Sequence, residues 1–421
     1  MSDPAAPGPP AIDAARVLAD LDALAELTGG PGGARRVCWT EEWQASRGLL
    51  RERLGEIGVE DVEVDEAGNL WARLPGADRD APALAVGSHL DSVPAGGPLD
   101  GALGVIAGLG VLRAWASATD PPPRDLVLID FADEEGSRFG RSLFGSSALA
   151  GTLEPAALEG LVDADGRTIG SVLAAAGVEL GRAPEARRRL GGIGAYLELH
   201  IEQGPVLAAE GSSCAAVSGC AGVERLRIDF EGHAAHAGTT PMGRRRDAGL
   251  AAAELALAVE RIARAHGGVG TTGRIDLDPG IITAVAGRAA VAVDLRHPEA
   301  GELAAMLEET RAAAAVTAGG RSCSHSERPI WRIEPIPFDD ALVARAEAAA
   351  AAAGGRAAAI ASGALHDAAE LARVIPVAMV FAASVGGISH APDERSTDED
   401  LAAAIAAFGE LAGAVLAAAR S

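Results

Sequence analysis

Short apolar runs, each opening into a loop of glycine and acid, recur along the chain. They are ALAVGSHLD (83–91), DLVLIDFADEE (125–135), AYLELHIEQG (195–204) and VAMVFAASVGGISH (377–390). Apolar runs of this length bounded by turn-forming residues predict buried strands. Between them, apolar residues recur at helical spacing from Ile12 to Leu27, Trp43 to Ile57, Gly104 to Trp115 and Asp398 to Ala418. Strands alternating with helices predict an α/β domain built on a mixed, largely parallel sheet flanked by helices. In such sheets sites form at the carboxyl ends of strands. All four runs carry their polar residues at that end.

Residues 216–333 follow a different rhythm. A strand pattern, ERLRIDFEG (224–232), leads to a helix from Arg245 to His266. The strand patterns TGRIDL (272–277) and AAVAVDLR (289–296) follow, then a helix from Glu299 to Ala318 and a last strand ending at Ile333. This β-α-β-β-α-β order predicts a ferredoxin-like domain. The α/β pattern resumes afterwards, so 216–333 reads as an insertion into a main domain of residues 1–215 and 334–421. Residues 1–10, rich in proline, alanine and glycine, are expected to be disordered. No internal repeat is visible.

Composition narrows the chemistry. With 36 basic and 59 acidic residues the net charge is −23, which argues against a nucleic acid or an anionic membrane as partner. Every basic residue is arginine. The absence of lysine removes Schiff-base and pyridoxal-phosphate chemistry and a Walker-type phosphate loop. Asn69 is the single asparagine, which argues against a Cys–His–Asn triad as well. Aromatic residues make up 3% of the chain, and much of its 48% hydrophobic fraction is alanine. No strongly apolar run approaches the roughly 20 residues that span a bilayer. The opening MSDPAAPGPP lacks both the basic and the apolar region of a secretory leader. Cys38, Cys214, Cys220 and Cys323 are scattered, as expected of reduced, mostly buried thiols. These features predict a soluble cytoplasmic enzyme.

Three of the nine histidines end predicted strands beside acids: His89 in GSHLDSVPAGGPLDG, His200 in ELHIEQGP and His390 in GGISHAPDE. Asp91 and Asp100 follow His89, and Glu134 and Glu135 close the neighbouring strand. Each has an ordinary structural explanation by itself: a hydrogen-bonded loop histidine, a solvated acidic pair, an Asp-Gly turn. Convergence changes the reading. Four strand ends, expected on one edge of one sheet, each bring an imidazole or carboxylate, the usual ligands of zinc and related ions. Three histidines, one aspartate and one glutamate would hold a two-metal centre with positions open to water.

These stretches, together with DEEGSRFG, HAAHAGTTPMGRRRDA, VDLR, SGALHDA and GISHAPDERS, resemble the zinc-aminopeptidase-like amidases. That family includes N-carbamoyl-L-amino acid hydrolases, allantoate amidohydrolases and β-ureidopropionases, relatives of carboxypeptidase G and aminoacylase. The resemblance spans residues 87–396 and places the inserted domain where the family has its dimerisation lid. It implies a hydrolase of carbon–nitrogen bonds in linear amides, with two divalent ions per subunit: zinc first, with manganese, cobalt or nickel as alternatives. His89, Asp100 and His200 would hold one ion and Asp100, Glu135 and His390 the other. Asp91 would hydrogen-bond the far nitrogen of His89 and fix its tautomer. Glu134 would be the general base; adjacent residues on an extended chain point opposite ways, so one glutamate can ligate while the other faces the water.

The resemblance further implies that Gln203 contacts the ureido or carboxylate end of a small carboxylate-bearing substrate. His236 would stabilise the oxyanion and Arg296 would grip the substrate carboxylate with its planar fork. Ser362 and Gly363 would add contacts to that carboxylate, while His233 is expected to be structural. It also implies a homodimer formed through the lid. Two positions depart from the family pattern. Thr283 stands where an asparagine normally binds substrate, and Leu365 replaces a second glycine beside Gly363, reshaping the pocket wall. The alternatives are an aminoacylase or peptidase-like activity on N-acyl amino acids, and a metal-free binding protein that kept the fold.

Overall fold

The computed structural model describes residues 10–30 and 32–418. Residues 1–9 of the stretch expected to be disordered lie outside the described residues. The four apolar runs become the strands Ala83–His89, Leu126–Phe131, Ile193–Ile201 and Val377–Ala382. They lie parallel, in the spatial order Leu126–Phe131, Ala83–His89, Ile193–Ile201, Val377–Ala382. Strands buried on both faces need continuous apolar sequence, and only Gly194 among these positions is not buried. Antiparallel strands that the sequence reading left out extend both sides. Leu70–Leu74 and Asp61–Val64 lie beyond Leu126–Phe131, and Cys214–Cys220 pairs with Val377–Ala382. The sheet is therefore mixed, with a parallel centre whose strand ends carry the candidate residues.

Alternation divides the two faces of the centre. Leu197, Leu199 and Ile201 join the main core with Leu84, Val86, Leu128 and Val380. Helices Ala14–Thr28, Ala102–Ala116, Asp340–Ala352 and Asp398–Ala417 supply the rest of that core. Tyr196, Glu198 and His200 alternate with that set, and His200 packs its ring on His366, centroids 4.4 Å apart. The helix Ala102–Ala116 lies unusually close to the sheet. A Cβ on Gly104 would sit 2.4 Å from the Leu199 carbonyl oxygen, and one on Gly108 would sit 2.6 Å from Leu128 Cδ1.

The helix Asp398–Ala417 corrects one expectation, since by length and composition it could cross a membrane. Here it is a core helix: Leu401, Ile405, Phe408, Leu411 and Leu416 are buried in the main cluster, and its first turn holds Asp398, Glu399 and Asp400.

The chain divides into two compact units, one of residues up to Ser218 and from Phe338 on, the other Gly219–Pro337. In the second, four antiparallel strands lie in the order Ser324–Ile333, Gly222–Glu231, Arg288–His297, Val269–Asp278. Numbered along the chain this is 4-1-3-2, the ferredoxin-like order. Leu226, Ile228, Phe230, Val291, Val293 and Leu295 meet the helices Ala248–His266 and Ala300–Gly320 in a separate core. The first helix starts at Ala248, three residues later than the periodicity suggested, where the Asp247 side chain caps it by accepting the Leu250 amide.

A buried ion pair ties the helix Glu41–Glu56 to the sheet. Arg47 Nε donates to Asp130 Oδ2 at 2.6 Å, and its other nitrogens reach the carbonyls of Gly68 and Asp130. Asp130 Oδ1 accepts the Leu90 amide at 2.8 Å, directly after His89. Replacing Arg47 by Met leaves a buried carboxylate uncompensated, so denaturant titration should show a loss of about 3–5 kcal/mol.

Candidate metal centre

Asp100 stands at the junction of two ligand sets. Its Oδ1 lies 3.2 Å from His200 Nε2 and 3.8 Å from His89 Nε2. Its Oδ2 lies 3.2 Å from His390 Nε2, which in turn is 3.4 Å from Glu135 Oε2. His89, Asp100 and His200 thus form one group able to hold a cation, and Asp100, Glu135 and His390 a second. The strand ends explain the gathering: Ala83–His89 delivers His89, Ile193–Ile201 delivers His200, and the loops after Leu126–Phe131 and Val377–Ala382 bring Glu135 and His390.

Local backbone needs are specific. Gly101 has φ of +64°, and a Cβ there would lie 2.3 Å from His89 Cε1. Asp133, Gln203 and His390 also adopt positive φ, at 57°, 56° and 55°. Non-glycine residues rarely hold that conformation, and such strain concentrates at functional sites. The two buried histidines are oriented by backbone: His89 Nδ1 faces the Asp91 carbonyl and His200 Nδ1 the Ile201 carbonyl, both at 3.0 Å. A proton held on each Nδ1 leaves Nε2 as the ligand atom.

Asp91 differs from expectation. Its carbonyl, not its carboxylate, makes the bond to His89; the nearest carboxylate oxygen is 3.6 Å away. The carboxylate instead accepts the backbone amides of Glu134 and Glu135, at 3.2 and 3.1 Å. Asp91 therefore fixes the turn that aims the two glutamates. Glu134 is buried, with Oε2 3.7 Å from His89 Nε2.

The electrostatics test whether cations suit this set. Burial, then the neighbouring Asp100 charge, lifts Glu135 to about 8. Burial, then Asp367 and Glu135, lifts Glu134 well above the usual carboxylate range. Burial alone would raise Asp100, but hydrogen bonds from His200 and His390 hold it well below its ordinary value. The hydrogen bond to Asp100 raises His390 to about 9; His200 reaches about 9 against its own burial, through the same carboxylate. Carboxylates that keep protons beside histidines that gain them mark a site short of positive charge. Glu135 Oε1 and Gln203 Oε1 are buried acceptors without a hydrogen-bond partner. The donor set fits two divalent ions of the zinc or manganese kind.

The remaining candidates divide. Gln203 is in this group, its Nε2 donating to Asp100 Oδ2 at 2.8 Å and to Ser389 Oγ at 3.2 Å. Its amide is thus engaged with the shared carboxylate, where a substrate contact was expected. Ser362 is buried, and its hydroxyl is committed to the Ala364 carbonyl at 2.9 Å and His366 Nε2 at 3.0 Å. The hydroxyl contact expected of it is turned inward. Gly363 is exposed.

In the 219–337 unit, His236 and Thr283 come together on a two-stranded ladder: the Ala237 amide donates to the Thr283 carbonyl at 2.9 Å. His236 Nδ1 accepts the amides of Gly238 and Thr239, at 3.0 and 3.2 Å. The neutral ring must then carry its proton on Nε2, as a donor. His233 bridges to Arg246 through backbone, in keeping with a structural part. Arg296 is held by Asp294, Nε to Oδ1 at 2.8 Å, and Arg225 braces the same aspartate at 2.6 Å.

Sequence reasoning missed Glu198, His366 and Glu394. Glu198 accepts the Ser88 hydroxyl at 2.7 Å and the Ala368 amide at 3.0 Å, beneath His200. Its i, i+2 spacing to His200 was the available signal. Glu394 accepts the amides of Leu99 and Asp100, at 3.0 and 3.1 Å.

Comparison with known proteins places these residues in a family. Residues 85–414 match the model of peptidase family M20/M25/M40. An N-carbamoyl-L-amino acid amidohydrolase of Geobacillus stearothermophilus is 37% identical over 393 residues, 93% of this chain and 96% of that protein. An allantoate amidohydrolase of Escherichia coli (strain K12) is 32% identical over 374 residues, 88% of this chain and 90% of the relative. Among solved structures, an amidase of the hydantoinase/carbamoylase family from Burkholderia multivorans superposes with a TM-score of 0.87 at 35% identity, covering 96% of this chain and 98% of that one. The chain belongs to peptidase family M20/M25/M40 and is an amidohydrolase, a hydrolase of carbon–nitrogen bonds other than peptide bonds.

Gly101→Ala should drive a methyl group into the His89 ring. Metal analysis after loading and gel filtration should show at least one ion held about 10–100-fold more weakly, the scale of disturbed ligand orientation.

Proposed function

We propose that this M20-family amidohydrolase cleaves the ureido C–N bond of an N-carbamoyl amino acid or allantoate-type substrate, releasing ammonia, carbon dioxide and the amine. The observation that carries the reading is the placement of Asp100, with one oxygen turned to His89 and His200 and the other to His390 and Glu135. Names of the relatives support the substrate class, as do Arg296 and the HAGTTPM stretch (236–242).

Two divalent ions, when bound, would polarise the scissile carbonyl and make water acidic at neutral pH. The residues do the rest. Glu134, aimed by Asp91, takes the water's proton on its carboxylate and later passes it to the leaving nitrogen. His236 donates from Nε2 to the developing oxyanion. Arg296, with Asp294 holding one edge of its fork, grips the substrate carboxylate. Thr283 offers a shorter donor than an asparagine, which bears on the choice of substrate. Self-association through the 219–337 unit suits the edge strand Ser324–Ile333, on which Ile330 is 52% and Trp331 40% exposed.

A substrate panel tests the reading. Metal-loaded enzyme should release ammonia from N-carbamoyl-L-amino acids, N-carbamoyl-β-alanine or allantoate and leave N-acetyl amino acids intact; turnover of the acetyl compounds alone would replace it with an aminoacylase. The two glutamates should fail differently. Glu134→Gln should keep both ions and substrate binding while kcat falls about 10²–10⁴-fold, the scale of general-base catalysis. Glu135→Gln should lose one ion and regain activity in excess metal. Metal content and kcat of both variants separate the roles, and the reverse pattern reverses the assignment.

A further inference from the structure

The segment 97–101, which carries Asp100, and the segment 389–394, which carries His390, are nearly 300 residues apart in sequence, and one buried side chain fastens them together. Glu394 is 3% exposed. Its Oε1 accepts two successive amides, Leu99 at 3.0 Å and Asp100 at 3.1 Å. Its Oε2 meets the Ser389 hydroxyl at 2.9 Å, next to His390. Room for it is made by Gly97, where a Cβ would lie 2.0 Å from Glu394 Oε1. A carboxylate buried among other carboxylates is costly unless hydrogen-bonded. Burial, then the Asp100 charge, does raise its affinity for a proton.

Ser389 links the fastening to the shared ligand. Its hydroxyl has a single proton and two carboxylate neighbours, Asp100 Oδ2 at 3.0 Å and Glu394 Oε2 at 2.9 Å. Gln203 Nε2 donates to both Asp100 and that hydroxyl. The serine proton can go to only one of the two carboxylates at a time, so a cation held by Asp100, Glu135 and His390 would leave it to Glu394.

We propose that Glu394 is a positioning residue of the centre: it sets Asp100 against His390 so that the ion held by Asp100, Glu135 and His390 binds in register with the first. The inference rests on the two-ion reading above. It is tested by titrating metal-free parent, Glu394→Ala and Glu394→Gln with Zn²⁺ against a chromogenic chelator, using His390→Ala to identify the second ion and cobalt absorption spectra to report ligand geometry. In Glu394→Ala the second ion should weaken about 10–100-fold, the first should stay within threefold, and the metal-free protein should keep its melting temperature within a few degrees. Glu394→Gln retains an acceptor for the two amides and should restore the second ion and the parent cobalt spectrum. Gly97→Ala, which displaces Glu394 without removing it, should reproduce the loss.

Parent-like affinity for the second ion in Glu394→Ala overturns the proposal, as does equal weakening of both ions with a lowered melting temperature. Should Glu394→Ala not fold, Ser389→Ala decides: an unchanged second ion there overturns it too. A parent that binds fewer than two ions fails the two-ion reading itself, a different result from two tight ions that ignore Glu394.

Discussion

Two oxygens of one carboxylate cannot be shared between two cations unless the backbone that carries them is held still, and the architecture around Asp100 supplies that restraint. The residue ends a loop, with Gly101 alone between it and the helix Ala102–Ala116. Gly104 and Gly108 let that helix settle against the parallel strands, so the loop has little freedom to shift. Gly101 takes a left-handed turn that leaves space for the His89 ring. The helix amino terminus also favours negative charge beside it. Removal of any one of these small residues would move the carboxylate against histidines packed only ångströms away.

Charge is the second constraint. Asp91, Asp100, Asp130, Glu134 and Asp367 are all buried in the same unit, and a lysine-free chain must balance them with arginine. Arg47 neutralises Asp130 directly. Arg36, fully buried, donates Nε to the Leu90 carbonyl at 2.8 Å, between His89 and Asp91. Burial lowers its proton affinity, and the charges of Asp100, Glu394 and Asp91 oppose that. These guanidiniums leave the inner carboxylates short of cations, which is the state a metal centre requires before loading.

The fold was legible because its centre obeys a simple rule: parallel strands buried on both faces read as unbroken apolar runs, and their carboxyl ends show His89, Glu135, His200 and His390. Asp61–Val64 and Leu70–Leu74 escaped because both are short and carry charge, as in DVEV and LWARL; the first is an edge strand and the second lies between it and Leu126–Phe131. Site residues were visible where they interrupted an apolar pattern. Glu198 interrupts its strand as well, two residues from His200, whereas Glu394 was not visible, because a carboxylate that accepts backbone amides has the same sequence appearance as one in water; only its tertiary partners, Leu99 and Asp100, tell it apart. Asp91 shows the related limit, since the resemblance implied a side-chain bond to His89 that its backbone carbonyl in fact makes.

Specificity belongs to a different layer from the chemistry. Among the proposed ligands, His89 and His200 lie in strands buried in the core, and Asp100, Glu135 and His390 on loops beside them, so the proposed chemistry is tied to the sheet. His236 stands instead on a two-residue ladder in the 219–337 unit, with Thr283 just before its partner strand and Ile282 almost wholly exposed. Such a surface ladder tolerates substitution, because changing its side chains leaves no buried group unpaired. The two departures that the resemblance implies fall in such places, Thr283 exposed beside the ladder and Leu365 two residues from exposed Gly363. On the proposed reading, divergence in substrate would accumulate there while His89, Asp100, Glu135, His200 and His390 stay bound by geometry to one another.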